Sequence, residues 1–155
     1  MKLLLLFFLG TVFTMAQIKN CEYEINEKTD TTSFKMLPHK LMSEKIFGTT
    51  NEFLFFSLLK NNEVPMISIQ LLQKSKDFIP VSCFNKSSKI ILQLDNGKIV
   101  TFISGNDETC STLSYDAENQ NNIRILTGYF YFTNSNYEEL KNSPIMLMRI
   151  QFSGD

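Results

Sequence analysis

The sequence predicts a mainly β domain, either an antiparallel sandwich or a partly open barrel, with one short helix. Apolar and polar residues alternate with period two over residues 66–71, as in a strand with one buried face. Two further apolar runs, residues 89–94 and 98–103, flank Asp95-Asn96-Gly97, and Asn-Gly supplies the positive φ angles of a tight primed hairpin turn. Such patterns recur along the chain and predict roughly seven to nine short strands.

The N-terminal half contains three further strand signals. Residues 23–25 and 33–37 are expected to form short edge strands, and Pro38 argues against a helix through that point. Residues 51–60 hold a continuous apolar run, which is typical of a strand buried on both faces or of part of a core helix. Asn61-Asn62 directly after this run favours a strand that ends in a turn.

The central hairpin has a clear inward face and is followed by a polar segment. Ile90, Leu92 and Leu94 share the face that is expected to be buried. On the returning strand Ile99, Thr101 and Ile103 are expected to point inward, with their alternates as the other possibility. Residues 104–122, including Gly105, are expected to be a largely mobile connection with one brief strand near residues 113–115.

The last third predicts two strands with a helix between them. A strand is expected over residues 123–133, followed by a helix that starts at residues 134–136 and ends at Asn142-Ser143-Pro144. The final strand, residues 145–152, should place four apolar side chains on one face. These are Met146, Met148, Ile150 and Phe152.

Residues 1–16 have the three regions of a secretory signal peptide. Lys2 precedes an apolar run that is too short to cross a membrane, and Thr14-Met15-Ala16 places small residues at a cleavage site. The alternative, a buried N-terminal helix, is disfavoured because polar residues follow at once. We therefore expect export to the periplasm, cell surface or medium, and a mature single β-rich domain over residues 17–155 that begins at Gln17, with no membrane span.

Three cysteines lie in the predicted mature chain. In an oxidising compartment Cys21, Cys83 and Cys110 allow three pairings, with one thiol left over. Cys83 and Cys110 flank the predicted hairpin, whose outer ends return to the same place, so we favour a disulfide between them. The alternative is three buried or free thiols.

Charge and composition exclude several functions. Fifteen Lys and Arg against sixteen Asp and Glu give a net charge of −1, which argues against nucleic-acid binding. His39 is the only histidine, and there is no C-x-x-C pair, so we predict no metal site and no cofactor.

Candidate site residues are few. Tyr129 and Tyr131 should share one face of their strand, where they form a platform for a sugar or peptide or simply pack across strands. His39 could act as a general base or lone ligand, but no partner can be assigned to it from the sequence. We favour the alternative, that it is a surface histidine in a loop. We predict no catalytic residues and a non-enzymatic exported domain that binds or scaffolds a protein or glycan at the cell envelope. The alternative is an exported hydrolase whose acidic residues assemble from distant loops.

Three segments carry a resemblance to a family. They are Cys83 with the segment Ser88-Lys89-Ile90-Ile91-Leu92-x-Leu94-Asp95-Asn96-Gly97-Lys98, then Cys110, and Tyr137-x-x-Leu140-Lys141-x-Ser143-Pro144-Ile145 leading to Arg149-Ile150. This C-terminal half resembles a group of small exported proteins of Bacteroidetes-type bacteria for which no activity is established. The resemblance implies a β-rich exported domain with a cysteine pair and implies no activity.

Overall fold

The computed structural model describes residues 21–154, except the side chains of Asn134 and Ser135. The predicted leader and the predicted N-terminus at Gln17 lie outside the described residues. Of the described residues, 61% lie in strands of antiparallel sheets that do not close into a barrel, and one short helix is present among them, which confirms the predicted fold class. The strands are β1 (Ile25–Lys28), β2 (Ser33–Met36), β3 (Lys40–Phe47), β4 (Thr50–Asn61), β5 (Val64–Ser75), β6 (Cys83–Asn85), β7 (Lys89–Leu94), β8 (Ile99–Ser104), β9 (Glu108–Cys110), β10 (Thr112–Asp116), β11 (Asn121–Tyr131) and β12 (Ile145–Gln151), and the helix is α1 (Asn134–Asn142).

Ten of these strands form one sheet that folds over on itself. Its order is β1-β2-β4-β5-β11-β8-β7-β12, with β3 paired to β4 and β10 paired to β11. The joint between β11 and β8 is narrow, because only Phe130 and Tyr131 pair with Ser104 and Ile103. We call β1-β2-β4-β5-β11, together with β3 and β10, the first half of the sheet. The second half is β8-β7-β12. The remaining strands, β6 and β9, pair with each other.

The hairpin of β4 and β5 is the longest pairing in the fold. The two strands pair from Thr50 opposite Ser75 to Asn61 opposite Val64. Asn62 and Glu63 form a two-residue loop, both with positive φ, as a primed hairpin turn requires. The apolar run of residues 51–60 is therefore a strand, as the following asparagines predicted, and not a core helix.

The hydrophobic core lies between the two halves of the sheet. The first half contributes Leu54, Ile67, Ile69, Leu71, Leu126 and Phe130, and the second contributes Ile90, Leu92, Leu94, Val100 and Phe102. The predicted inward face of β7 is confirmed. In β8 the expected inward set is wrong and its alternates are correct: Val100 and Phe102 are each 1% exposed, while Ile99 and Ile103 point to solvent.

The turn between β7 and β8 differs from the prediction. Leu94 N donates to Lys98 O, and Gly97 N donates to Leu94 O, so the loop contains three residues. Gly97 has a φ of +79°, whereas Asn96 has no positive φ. The predicted position of the hairpin is confirmed. The predicted turn type, a primed turn of two residues, is wrong, because the loop is a three-residue turn that ends in a left-handed glycine.

Gly97→Val is expected to lower the free energy of unfolding by ~1–3 kcal/mol, because a β-branched residue at positive φ is strained. A Cβ at this position meets no atom within 4 Å, so backbone strain is the only cause. Asparagine tolerates this conformation, and Gly97→Asn should cost much less. Chemical denaturation of both variants checks the prediction. Equal midpoints for the valine and asparagine variants would contradict it.

The segment of residues 104–122 is more ordered than predicted. It contains β9 and β10, and the Gly105 N–H donates to the Tyr129 carbonyl. Gly105 also lies directly against the Tyr131 ring. Strand propensity is weak in this polar segment. Its order comes from pairing with distant strands, since β9 pairs with β6 and β10 pairs with β11.

Two edge strands carry bulges that hide their pattern. In β12, Ile145 pairs with Leu94 and Leu147 with Gln93, so Met146 is an extra residue and is 61% exposed. Its predicted place on the face of Met148 is wrong. A similar shift in β3 breaks the alternation, and that strand was not predicted. Together with the short β6 and β9, it raises the count in residues 21–154 to twelve strands, above the expected number.

Candidate functional site: an apolar cavity between the two halves of the sheet

A cavity of about 560 Å³ lies between the two halves of the sheet. Its floor is formed by Ile67 of β5, Ile90 and Leu92 of β7, and Phe102 of β8, all of which are buried. The alternation in each strand directs these side chains to the inside. The volume falls within the range of small-molecule binding sites, ~300–1,000 Å³.

The rim of the cavity exposes apolar side chains to solvent. Leu58 of β4, Met42 of β3 and Ile145 of β12 line the cavity and are 42%, 38% and 51% exposed. Apolar residues that are exposed singly are common, but here they surround the entrance to an apolar interior. This arrangement is typical of a site that takes up apolar surface from another molecule.

The cavity is open because the two edge strands beside it do not pair. Within the described residues, β3 pairs with β4 and β12 pairs with β7, and no pairing joins β3 to β12. Met42 and Met148, one from each edge, both line the cavity. Met42 is the extra residue of the β3 bulge, since Leu41 pairs with Phe55 and Ser43 with Leu54. The bulge thus contributes directly to the lining.

Helix α1 covers one side of the cavity and carries its polar groups. Tyr137, Leu140 and Lys141 follow the three- and four-residue spacing of one helix face, and all three line the cavity. The Tyr137 ring packs edge-on against Phe132, with 6.2 Å between ring centroids. Of the thirteen lining residues in the described chain, only Tyr137 and Lys141 have a side-chain oxygen or nitrogen.

Lys141 is held close to Tyr137. Its Nζ lies 4.2 Å from the centroid of the Tyr137 ring and 2.9 Å from a carboxylate oxygen of Glu138. The hydrogen bond to Glu138 holds the pKa of Lys141 above its ordinary value. The amino group is therefore a fixed positive charge beside an otherwise uncharged lining.

The predicted tyrosine platform lies on a different surface from the cavity. Tyr129 and Tyr131 are 39% and 37% exposed, while the alternate residue Phe130 is fully buried, so the predicted division of faces is correct. The structure does not place either tyrosine in the lining of the cavity. Tyr131 packs on Gly105, and the Tyr129 backbone N–H donates a hydrogen bond to the side-chain oxygen of Asn106.

His39 lies in the segment between β2 and β3. Its Nδ1 is 3.8 Å from a carboxylate oxygen of Glu24, and its Nε2 is buried with no hydrogen-bond partner in the described part of the chain. It is not one of the residues that line the cavity. His39 is therefore separate from the candidate site.

The carboxyl groups with shifted pKa values are exposed. Glu63 and Asp107 have pKa values below their ordinary ranges, chiefly because Lys60 and Lys86 donate hydrogen bonds to them. A general acid needs the opposite shift. Among residues 21–154 no group of three or more His, Cys, Asp or Glu side chains could hold a metal ion, and no helix is long and apolar enough to cross a bilayer.

No pattern in the sequence indicates the cavity. Its lining residues have the same apolar character as the core, so no local pattern separates a residue beside a space from one in full contact. Comparisons of the chain with protein-family models, with curated proteins and with solved structures found no match.

Proposed function

We propose that this chain is a binding domain that holds an apolar small molecule or hydrocarbon chain in the cavity between the two halves of its sheet. The observation that carries the proposal is the cavity of about 560 Å³, with a buried apolar floor and an exposed apolar rim. Filling it removes apolar surface from water on both the protein and the ligand, which favours binding by ~25 cal/mol per Å² of that surface.

The proposal includes export. The leader pattern of residues 1–16 and the disulfide between Cys83 and Cys110 both support it, since structural disulfides persist in oxidising compartments. The resemblance to exported Bacteroidetes-type proteins stays a prediction. So does a protein or glycan partner on the face of Tyr129 and Tyr131. The alternative of an exported hydrolase gains no support from the cavity, whose lining contains no carboxylate.

The neutral fluorophore N-phenyl-1-naphthylamine is expected to bind the protein at one saturable site. Met148→Trp places a bulky ring in the cavity lining and should weaken binding at least tenfold, because the space for the probe is lost. Met146→Trp is the matched control, since Met146 lies in the same strand but outside the lining and is exposed. Fluorescence titration of the three proteins measures the difference.

The two variants also report on their own folding. The chain contains no tryptophan, so each variant carries a single indole. Emission should be shifted to the blue in Met148→Trp relative to Met146→Trp, because only the first indole enters an apolar site. The proposed function is wrong if the wild-type protein does not bind the probe, or if both variants bind it equally while their emission spectra differ as expected.

A further inference from the structure

The polar and apolar groups of the cavity lie on different elements. The floor consists of strand residues with hydrocarbon or phenyl side chains, represented by Ile67, Leu92 and Phe102. The two lining residues whose side chains end in a polar group are Tyr137 and Lys141, both on α1 and both about half exposed. A molecule that satisfies this lining has an apolar part for the floor and a polar end at the helix.

The charge at the polar end is positive. Lys141 is the only charged residue in the lining. Its partner Glu138 does not line the cavity, and the side chain of Glu138 is 67% exposed. Surface ion pairs of this kind contribute ~0–1 kcal/mol, so an anion at the rim competes with Glu138 at little cost. Charge complementarity therefore favours an anionic group on the ligand.

We infer that the ligand is a single-chain amphipathic anion, with its hydrocarbon chain on the strand floor and its anionic group beside Lys141 and Tyr137. The inference rests on the proposed function and adds the class and orientation of the ligand. The Tyr137 hydroxyl donates a second hydrogen bond to the anion. The ring of Tyr137, 4.2 Å from Nζ, keeps the amino group at the rim when Glu138 is displaced.

The test compares ligands that share a fourteen-carbon chain and differ in the end group. Tetradecanoate, monotetradecyl phosphate, 1-tetradecanol and tetradecyltrimethylammonium compete with N-phenyl-1-naphthylamine below their aggregation concentrations. Both anions should displace the probe at concentrations about tenfold lower than the alcohol, and the cation should be weakest. The two anions differ in source chemistry, a free fatty acid against a phosphate monoester, and the tighter one identifies the source.

Lys141→Gln should weaken tetradecanoate up to about fivefold, the effect of one exposed ion pair, and leave 1-tetradecanol unchanged. Lys98→Gln is the matched control, since Lys98 also pairs with a glutamate of α1, Glu139, at 2.7 Å but does not line the cavity. Shortening the chain by one carbon should weaken binding roughly fourfold, which is the effect of one buried methylene.

The outcomes separate the two proposals. If the probe binds but the alcohol competes as well as the anions, or if both lysine variants act alike, the anionic class is overturned and the proposed function stands. If the probe itself does not bind, the proposed function fails and the inference fails with it. Selective loss of the anions in Lys141→Gln supports both.

Discussion

Cys83→Ser is expected to lower the free energy of unfolding by ~2–5 kcal/mol, as does loss of a native disulfide in other small domains. Cys83 and Cys110 are directly opposite each other in the two-stranded sheet of β6 and β9, and they are bonded across a sequence separation of 27 residues. Closing a loop of that length restricts the unfolded chain and stabilises the fold by ~3–4 kcal/mol in the chain-entropy treatment.

Strand β6, which the disulfide anchors, also contacts the residues that follow β12. The backbone carbonyl of Cys83 accepts a hydrogen bond from Ser153 N, and the neighbouring Phe84 ring stacks on Phe152. Loosening β6 therefore weakens contacts beyond its own two-stranded sheet. The loss of unfolding free energy in Cys83→Ser should therefore lie in the upper part of the range of ~2–5 kcal/mol.

Guanidinium denaturation of a matched set of variants tests this. Cys110→Ser and the double variant should match Cys83→Ser, because any of the three removes the same bond. Cys21→Ser should leave the midpoint unchanged, since Cys21 is a free, exposed thiol. A destabilised Cys21→Ser, or a non-reducing peptide map that joins Cys21 to either partner, would show that the pairing is different in solution.

The fold could be predicted where local pattern and global structure agree. Residues 66–71 and 89–94 alternate cleanly, and both form strands. Residues 89–94 have one buried face, whereas residues 66–71 are buried on both, since Met66 and Ser68 on the second face are only 7% and 1% exposed. The disulfide followed from the same hairpin, because a turn at residues 95–97 brings the flanking segments together. For the strands and the hairpin the information lies within about fifteen residues of sequence, which is the range over which periodicity acts.

The rest depended on contacts between distant segments. Met42 and Met146 each interrupt a strand as a bulged residue, and a bulge shifts the alternation of every residue beyond it. The cavity could not be predicted from local sequence, since it requires β5, β7, α1 and β12 to meet without filling the space between them. Packing decides this, and packing is not encoded in the pattern of any one element.

Phe84→Ala is expected to lower the free energy of unfolding by ~3–5 kcal/mol, the usual effect of deleting a buried aromatic ring. Phe84 is fully buried and meets Phe130 edge-on, with 5.2 Å between ring centroids. Phe47→Ala is the matched control, because Phe47 is 61% exposed and surface substitutions change stability by only ~0.5 kcal/mol.

The space for this ring is made by a glycine in β11. A Cβ on Gly128 would lie 2.5 Å from Cδ2 of Phe84 and 3.0 Å from Cε2 of Phe130, so any side chain there collides with buried rings. Strand propensity alone predicts that Gly128→Ala stabilises the protein by ~0.5–1 kcal/mol. The contact predicts the opposite sign, a loss of ~1–3 kcal/mol through overpacking.

A double-mutant cycle decides between these two signs. When Phe84 is already alanine, most of the collision is gone, and Gly128→Ala should then cost nearly nothing or stabilise the protein. The coupling between the two positions should be at least ~1 kcal/mol, well above the error for independent sites. Urea denaturation of the four proteins measures it. Additive effects would mean that the Phe84 ring does not occupy the position that Gly128 leaves open, and the packing of β6 on β11 described above would be incorrect.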